Sequence, residues 1–323
     1  MPDRAVDRLA FLESAGWGNA TVTPLAGDAS QRAYFRVTRA HGSAILMDAP
    51  PATNTDTRAF LTIASHLRSL NLSAPNVLCE DVANGFVLLE DLGDDLFSTV
   101  LARAPRSETL LYRRAVDVLI LLARQPVPTD IPVYGVEYMA DLAALPYEWY
   151  APGPEDLFKK AMARALTPVM ESQMTIALRD FHVDNLIWLP EREGLASVGL
   201  LDFQDAAICH PAYDLVSLLR DVRRDVPAEI QKTEFTRFQV IMGLEPTAFS
   251  YACAVLSAQR GLRILGVFSR LATRDGKKRY LDYLPRVWST LMDDLRHPGL
   301  ESLNVIVRNT LPAPDAARMN ALR

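Results

Sequence analysis

The sequence predicts an α+β chain with a small antiparallel-sheet lobe followed by a larger, mostly helical lobe. Three observations carry this. Short apolar runs at 21–25, 33–38 and 44–48 are separated by turn residues, GDAS at 27–30 and HGS at 41–43, the pattern of an antiparallel meander. From Arg106 onward the apolar period changes to 3.6, the helical repeat. A loop and a β-hairpin pattern interrupt that helical half between 171 and 205.

The elements follow in order. Residues 4–15 have helical spacing and end at Gly16. The meander comes next, and Pro50-Pro51 breaks the chain. Residues 56–70 place apolar side chains at helical spacing. Strand-like runs at 77–80 and 86–89 are joined by Asn84-Gly85, a strong hairpin signal. EDLGDD at 90–95 follows. Helices are expected near 107–124, 155–170, 212–224, 247–270 and 278–296, and Pro126, Pro128 and Pro132 mark a loop. The final PAPDAARMNALR reads as a loosely held tail. The division is expected at 1–92 for the small lobe and 93–323 for the helical lobe.

Composition narrows the function. The chain has 323 residues and a net charge of -5, with 49% hydrophobic and 23% charged residues. These are globular values. The acidic balance argues against a nucleic-acid surface, which needs clustered cations. No apolar run is long enough to span a membrane, and the N-terminus lacks a signal-peptide core. Three unpaired cysteines fit a reduced, cytoplasmic protein, expected to act as a monomer. The sequence contains no P-loop, G-x-G-x-x-G, G-x-S-x-G or zinc spacing.

The informative segment is 180–205. Asp180 and Asn185 lie five positions apart on a loop, and a hairpin then returns the chain to Asp202. An acid, an amide and a second acid therefore converge. Phosphoryl transfer needs that set: a carboxylate to orient a hydroxyl and take its proton, and hard oxygens to hold magnesium (Mg²⁺) against phosphates. Asp180 is read as the base, with Asn185 and Asp202 as metal ligands. The plainer reading is that Asp and Asn are simply turn residues.

DFHVDNLIWL followed by GLLDFQDA resembles the aminoglycoside phosphotransferase branch of the protein-kinase-like fold, which includes choline and homoserine kinases. The resemblance spans about residues 20–225 and implies a bilobal kinase that uses ATP and Mg²⁺. It implies that Glu90, Asp91 and Leu92 form the hinge whose backbone holds adenine, and that YDL at 213–215 is structural. GDASQRAYFR, MDAPP, LLEDLGDDLF, DFHVDNL and LDFQDA together look like the bacterial anomeric amino-sugar kinases, which phosphorylate the C1 hydroxyl of N-acetylmuramate and N-acetylglucosamine in cell-wall recycling. The alternatives are another acceptor on the same fold (an aminoglycoside, choline or homoserine) or a protein that binds nucleotide or sugar without catalysis.

The sequence departs from the kinase pattern at one point. A lysine on the third strand, paired with a helix glutamate, usually contacts the phosphates. Lysine occurs here only at 159, 160, 232, 277 and 278, Met47 stands near the expected position, and helix 56–70 has no glutamate. Arg32 and Arg36 flank the expected phosphate-covering turn, so Arg32, together with Arg36, is read as the replacement, with Ser30 capping the phosphates. His182 and Asp205 are read as lining the acceptor pocket, against loop-bracing and helix-capping roles. His210 reads as structural. The YEWY cluster at 147–150 reads as core, and Arg260 and Arg263 read by default as a solvated helix face, with a sugar carboxylate as the alternative contact.

Overall fold

The computed structural model describes residues 4–25, 32–51 and 57–323. In chain order the elements are α1 (Ala5–Ser14), β1 (Thr21–Pro24), β2 (Ala33–Arg39), β3 (Gly42–Asp48), α2 (Thr57–Ser69), β4 (Val77–Asp81), β5 (Phe86–Glu90), α3 (Phe97–Arg103) and α4 (Glu108–Ala123). Then come α5 (Val136–Ala143), α6 (Leu145–Trp149), α7 (Glu155–Met170), β6 (Thr175–Ala177), β7 (Leu186–Trp188), β8 (Val198–Leu200) and β9 (Ala207–Cys209). The chain ends with α8 (Ala212–Leu219), α9 (Ala228–Met242), α10 (Pro246–Thr273), α11 (Leu284–Asp294), α12 (Glu301–Thr310) and α13 (Ala316–Ala321). This is the expected α+β class. No helix among the described residues is long and apolar enough to cross a membrane.

Two compact units emerge. One holds the chain up to Arg114 together with Val183–Asp205; the other holds Ala115–His182 and Ala206–Arg323. Each is discontinuous in sequence, because the β7–β8 hairpin belongs with the sheet-bearing unit.

In the first unit five strands run in the order β1-β2-β3-β5-β4, every neighbour antiparallel. The meander gives the first three, and the β4–β5 hairpin adds β5 beside β3. Gly85 makes this docking possible. It has φ +74, and a Cβ there would lie 1.9 Å from the Ala49 carbonyl oxygen. The Ala49 amide bonds back to the Gly85 carbonyl at 2.8 Å.

The core of this unit joins Phe11, Leu12 and Trp17 to Val37, Ala44, Leu46, Phe86 and Leu88. Charge fastens the same contact. Asp48, 2% exposed, pairs with Arg4 at 2.9 Å and Arg8 at 3.1 Å. These guanidiniums also sit over the Phe86 and Phe35 rings, at 4.2 and 4.4 Å. The helix α2 buries Phe60, Ile63, Ala64 and Leu67, the spacing of one helical face.

In the second unit α10 is the axis. Glu245 caps it by accepting from the Thr247 and Ala248 amides, and Pro246 opens it. It packs against α5, α6, α8 and α11 and is buried almost all round. At Gly266 a Cβ would fall 2.4 Å from that of Leu145, so glycine lets α6 approach. Tyr147 and Tyr150 are buried there, in keeping with the core reading of YEWY.

Three differences from expectation have local causes. The helix expected at 212–224 stops at Leu219, because the Asp221 carboxylate accepts the Arg223 amide at 2.9 Å and turns the chain. The 278–296 stretch divides into a 3-10 turn, Lys278–Tyr283, and α11, with Pro285 opening α11. The tail is not loose. Asp315 caps α13 through the Arg318 amide, the Tyr150 hydroxyl donates to the Pro312 carbonyl at 2.9 Å, and Leu322 is buried.

Replacing Asp48 by Ala leaves two guanidiniums without their carboxylate at a buried contact. Stability to urea is expected to fall by about 2–4 kcal/mol. A loss under about 1 kcal/mol, the range of a surface pair, would mean that the clamp does not hold α1.

Candidate active site

The expected base lies at the end of β6, which pairs with β9. After that strand the chain turns through Arg179 at φ +72, a conformation that side chains other than glycine rarely adopt. Asp214 from α8 holds it there. Its carboxylate, 3% exposed, accepts the amides of Leu178 at 2.5 Å and Arg179 at 2.9 Å. Burial pushes this carboxyl up to about 6, with the two amides and Arg260 opposing. Arg260 of α10 grips the same turn, donating to the Arg179 carbonyl at 3.2 Å and to Ser217 Oγ at 2.5 Å.

Asp180 follows directly. Burial by itself raises its pKa, but the guanidiniums of Arg263 and Arg260, then His182 and Arg179, outweigh it and hold the carboxyl below its ordinary value. The residue is kept ionised. His182 is 5% exposed. Burial, with Arg223 next, lowers its pKa to about 3, so the ring is neutral at working pH.

Arg260 and Arg263 are therefore not a solvated helix face. Arg260 is 7% exposed, lies over the Tyr213 ring at 5.3 Å, and Arg263 reaches the Tyr213 hydroxyl at 3.4 Å. A helix surrounded on nearly every side gives its polar residues no solvent face. His210 accepts the Ala212 amide through Nδ1 at 3.1 Å, a structural role at the start of α8.

In the first unit β7 and β8 pair from Leu186↔Leu200 to Trp188↔Val198. The Leu201 amide extends the pairing to the Asn185 carbonyl at 3.0 Å. Asn185 and Asp202 thus share one end of the hairpin. Asp202 has φ +56, and Gln204 Nε2 donates to its Oδ1 at 2.8 Å. Phe203 is fully buried and stacks on Phe60 of α2 at 4.9 Å. Where a lysine–glutamate pair would tie strand to helix, an aromatic stack ties this helix to the Asp202 loop. An amide oxygen and a carboxylate are hard donors that suit Mg²⁺, which keeps waters in its remaining positions. No cluster of three His, Cys, Asp or Glu residues fit for a metal occurs among the described residues.

Near this hairpin end lies Tyr34, which sequence reasoning did not single out. Burial pushes its hydroxyl up to about 12, while Arg32 lowers it through charge and a hydrogen bond and the Asp202 charge raises it. Arg32, Tyr34 and Asp202 are therefore neighbours. Tyr34 pairs across the sheet with Met47, which is fully buried, so the Arg32–Tyr34 pair sits beside the strand position where a lysine was expected. The available signal was the alternation of 32, 34 and 36 along β2.

Arg36 goes elsewhere. Its Nε lies 2.8 Å from Asp91, and its Nη2 lies 2.7 Å from Asp94. Two carboxylates absorb its charge, so the phosphate contact expected of Arg36 is not what the geometry offers; it braces the 90–95 segment. Glu90 is likewise committed. Its carboxylate binds Arg192 at 2.6 Å and Asn76 at 2.7 Å, and its amide donates to the Asn76 carbonyl at 2.8 Å. Asp91 also accepts the Gly93 amide at 3.0 Å, and Leu92 packs with Ile187 and Leu189. Asp205 is exposed at the end of the Asp202 loop. Ser30 and the 27–30 turn lie outside the described residues.

The architecture recurs in solved structures of small-molecule kinases. A choline/ethanolamine kinase family protein from Mesorhizobium loti superposes with a TM-score of 0.64 at 16% identity, covering 95% of this chain and 100% of that one. The GDP complex of aminoglycoside 2'-phosphotransferase-IIIa gives 0.65 at 16% identity, covering 90% and 100%. At these identities they establish the protein-kinase-like fold alone.

The sequence matches the phosphotransferase enzyme family over residues 21–248, and the chain belongs to that family as a small-molecule kinase. Among its curated relatives, a protein of Caulobacter vibrioides named N-acetylmuramate/N-acetylglucosamine kinase is 37% identical over 93% of this chain and 95% of its own length. One of the same name from Pseudomonas aeruginosa is 31% identical over 90% of each.

The charges around Asp180 set a pH dependence. Opposite charge favours the ionised form, so a depressed pKa keeps the carboxylate ionised as pH falls. The wild-type pH–rate profile is expected to show no acidic limb near the ordinary histidine value of about 6.5. Arg263→Gln removes the strongest opposing cation. Activity at pH 5 relative to pH 8 is then expected to fall about fivefold; an unshifted acidic limb would mean that Arg263 does not set this ionisation.

Proposed function

We propose that this kinase transfers the γ-phosphoryl group of ATP to the anomeric hydroxyl of N-acetylmuramate and N-acetylglucosamine. The observation that carries the reading is Asp180, held ionised on a turn pinned by Asp214, five residues ahead of the hairpin that presents Asn185 and Asp202. The names of the curated relatives support the acceptor.

In this reading residues 1–92 carry the nucleotide and 93–323 the catalytic loop and acceptor site. Asp180 accepts the hydrogen bond of the C1 hydroxyl. As that oxygen attacks the γ-phosphorus, the proton passes to the carboxylate and ADP departs. An anomeric hydroxyl is more acidic than an ordinary alcohol, so a carboxylate of low basicity suffices. Asn185 and Asp202 hold Mg²⁺, which supplies neutralising charge to the phosphates. Arg32, oriented by Tyr34, supplies the cation that lysine provides elsewhere, with Ser30 on the phosphate-covering turn. Asp91 and Leu92 offer backbone to adenine, and His182 and Asp205 line the acceptor side. The neutral ring of His182 can accept or donate a hydrogen bond to a sugar hydroxyl without adding charge. The enzyme then acts as a cytoplasmic monomer in cell-wall recycling.

The test is ADP release with Mg-ATP against N-acetylmuramate, N-acetylglucosamine, glucose, choline, homoserine and kanamycin, with phosphorus NMR on the product. Turnover of the N-acetyl sugars with a C1-phosphate signal is expected. Turnover of another acceptor alone would discard the sugar reading. Asp180→Asn is expected to lower kcat by about a thousandfold while nucleotide binding by calorimetry persists; retention within a few fold would remove Asp180 as the base. Arg32→Ala is expected to raise the KM for ATP about tenfold, the loss of one charge-assisted contact, and an unchanged KM would sink its role.

A further inference from the structure

The 90–96 segment lies along the β7–β8 hairpin. At its far end the Asp95 carbonyl accepts the Trp188 amide at 2.7 Å, and Leu96 forms an antiparallel bridge with Ile187. In the middle Leu92 packs on Ile187 and Leu189. Gly199 leaves room for it, because a Cβ there would lie 3.2 Å from Cδ1 of Leu92 and 3.0 Å from Cβ of Ile187. At its start the contact is ionic. Arg192, in the turn of the hairpin, reaches Glu90 at 2.6 Å.

This pair is embedded in a network. The Arg192 fork holds two partners: Nη2 donates to Glu90, and Nη1 donates to Ser73 Oγ at 2.8 Å. Ser73 Oγ donates in turn to the Ala196 carbonyl at 2.6 Å, and the Ser73 carbonyl accepts the Leu200 amide at 2.9 Å. The other Glu90 oxygen accepts the amide and the side-chain nitrogen of Asn76, at 3.1 and 2.7 Å. An isolated exposed ion pair contributes little. Here both side chains are partly buried, and a planar guanidinium shared between a carboxylate and an anchored hydroxyl fixes orientation as well as charge. Glu90 is thus fastened at both oxygens, and with it the start of the segment assigned above to adenine.

The same hairpin presents Asn185 and Asp202 at its open end, where the Leu201 amide meets the Asn185 carbonyl. One short element therefore braces the base-side segment at its turn and carries the phosphate-side donors at its other end. We propose that Arg192 is a positioning residue, which through Glu90 holds the backbone of 90–92 in register with this hairpin and so strengthens binding of the nucleoside part of ATP. This rests on the reading of 90–92 as the adenine segment. Arg192 acts through Glu90 and takes no part in the transfer.

The experiment measures by calorimetry the affinity of the wild type, Arg192→Ala and Arg192→Lys for ADP and for inorganic pyrophosphate, both with Mg²⁺. The two ligands share a diphosphate, so their ratio reads the nucleoside. In Arg192→Ala the preference for ADP over pyrophosphate is expected to fall about fivefold to tenfold, the effect of one hydrogen bond to a charged group. The KM for ATP is expected to rise by a similar factor with kcat within twofold, and Arg192→Lys, which keeps the charge and loses the fork, to recover part of the loss. Glu90→Gln removes the charge from the other side of the pair; it is expected to give the same selective loss, and it tests the pair if Arg192→Ala does not fold. A preference that stays within twofold of the wild type in these variants overturns the proposal, whether or not both affinities drop together, since an equal drop is a general loosening of the fold. A wild type that binds pyrophosphate as tightly as ADP overturns the adenine reading of 90–92 as well.

Discussion

The Asp214 carboxylate is the contact on which the turn that carries the proposed base, Asp180, depends. It is almost entirely shielded from water, and it spends both oxygens on the amides of Leu178 and Arg179. A positive φ at an arginine costs roughly 1–3 kcal/mol and persists only where the surroundings over-determine it. Here α8 supplies the carboxylate, α10 supplies Arg260 to the next carbonyl, and the β6–β9 pairing fixes the strand that leads in. The direction of Asp180 is thereby set by elements distant from it in sequence. The long burial of α10 gains a function in this light, because a helix that is mostly core can carry arginines where a surface helix would lose them to solvent.

Charge is distributed differently in the two units. In the first, acids and cations are matched almost one to one: Asp48 with Arg4 and Arg8, Asp91 and Asp94 with Arg36, Glu90 with Arg192, Asp95 with Arg103. Such matching braces the 90–95 segment, since its acidic side chains are fastened to β2 through Arg36, to α3 through Arg103 and to the β7–β8 hairpin through Arg192. In the second, the arginines around Asp180 outnumber their carboxylates, and the field they create keeps an enclosed acid ionised against its burial. One arrangement braces a segment, and the other sets the ionisation of the proposed base.

Much of this was legible in the sequence. The meander, the Asn84-Gly85 turn, the helices α4, α7 and α10 and the return of the hairpin toward Asn185 follow from period and turn chemistry, whereas α9 (Ala228–Met242) was not anticipated. The family was legible because its motifs sit in order along the chain. What escaped has physical causes. The three-residue strands β6 and β9 are too short to show a period, and α5 and α6 follow a proline-rich loop that masks their start. The burial of Arg260 and Arg263 depends on neighbours far away in sequence, as does the capture of Arg36 by Asp91 and Asp94. Tyr34 was passed over because an aromatic residue in a strand is ordinary; only its proximity to Arg32 and Asp202 distinguishes it. The tail was misjudged because its anchor, Tyr150, lies some 160 residues earlier.

The lysine-free stretch before residue 159 has a consequence for reactivity. An ε-amine is a nucleophile once it loses its proton, whereas a guanidinium keeps its proton throughout the range proteins tolerate. The sheet-bearing half of this chain therefore offers acylating, carbamylating or aldehyde reagents no side-chain amine to modify. Nucleotide-site probes that tag kinases through the usual strand lysine have nothing to attach to here, and this enzyme would pass silently through any survey that counts kinases by that label.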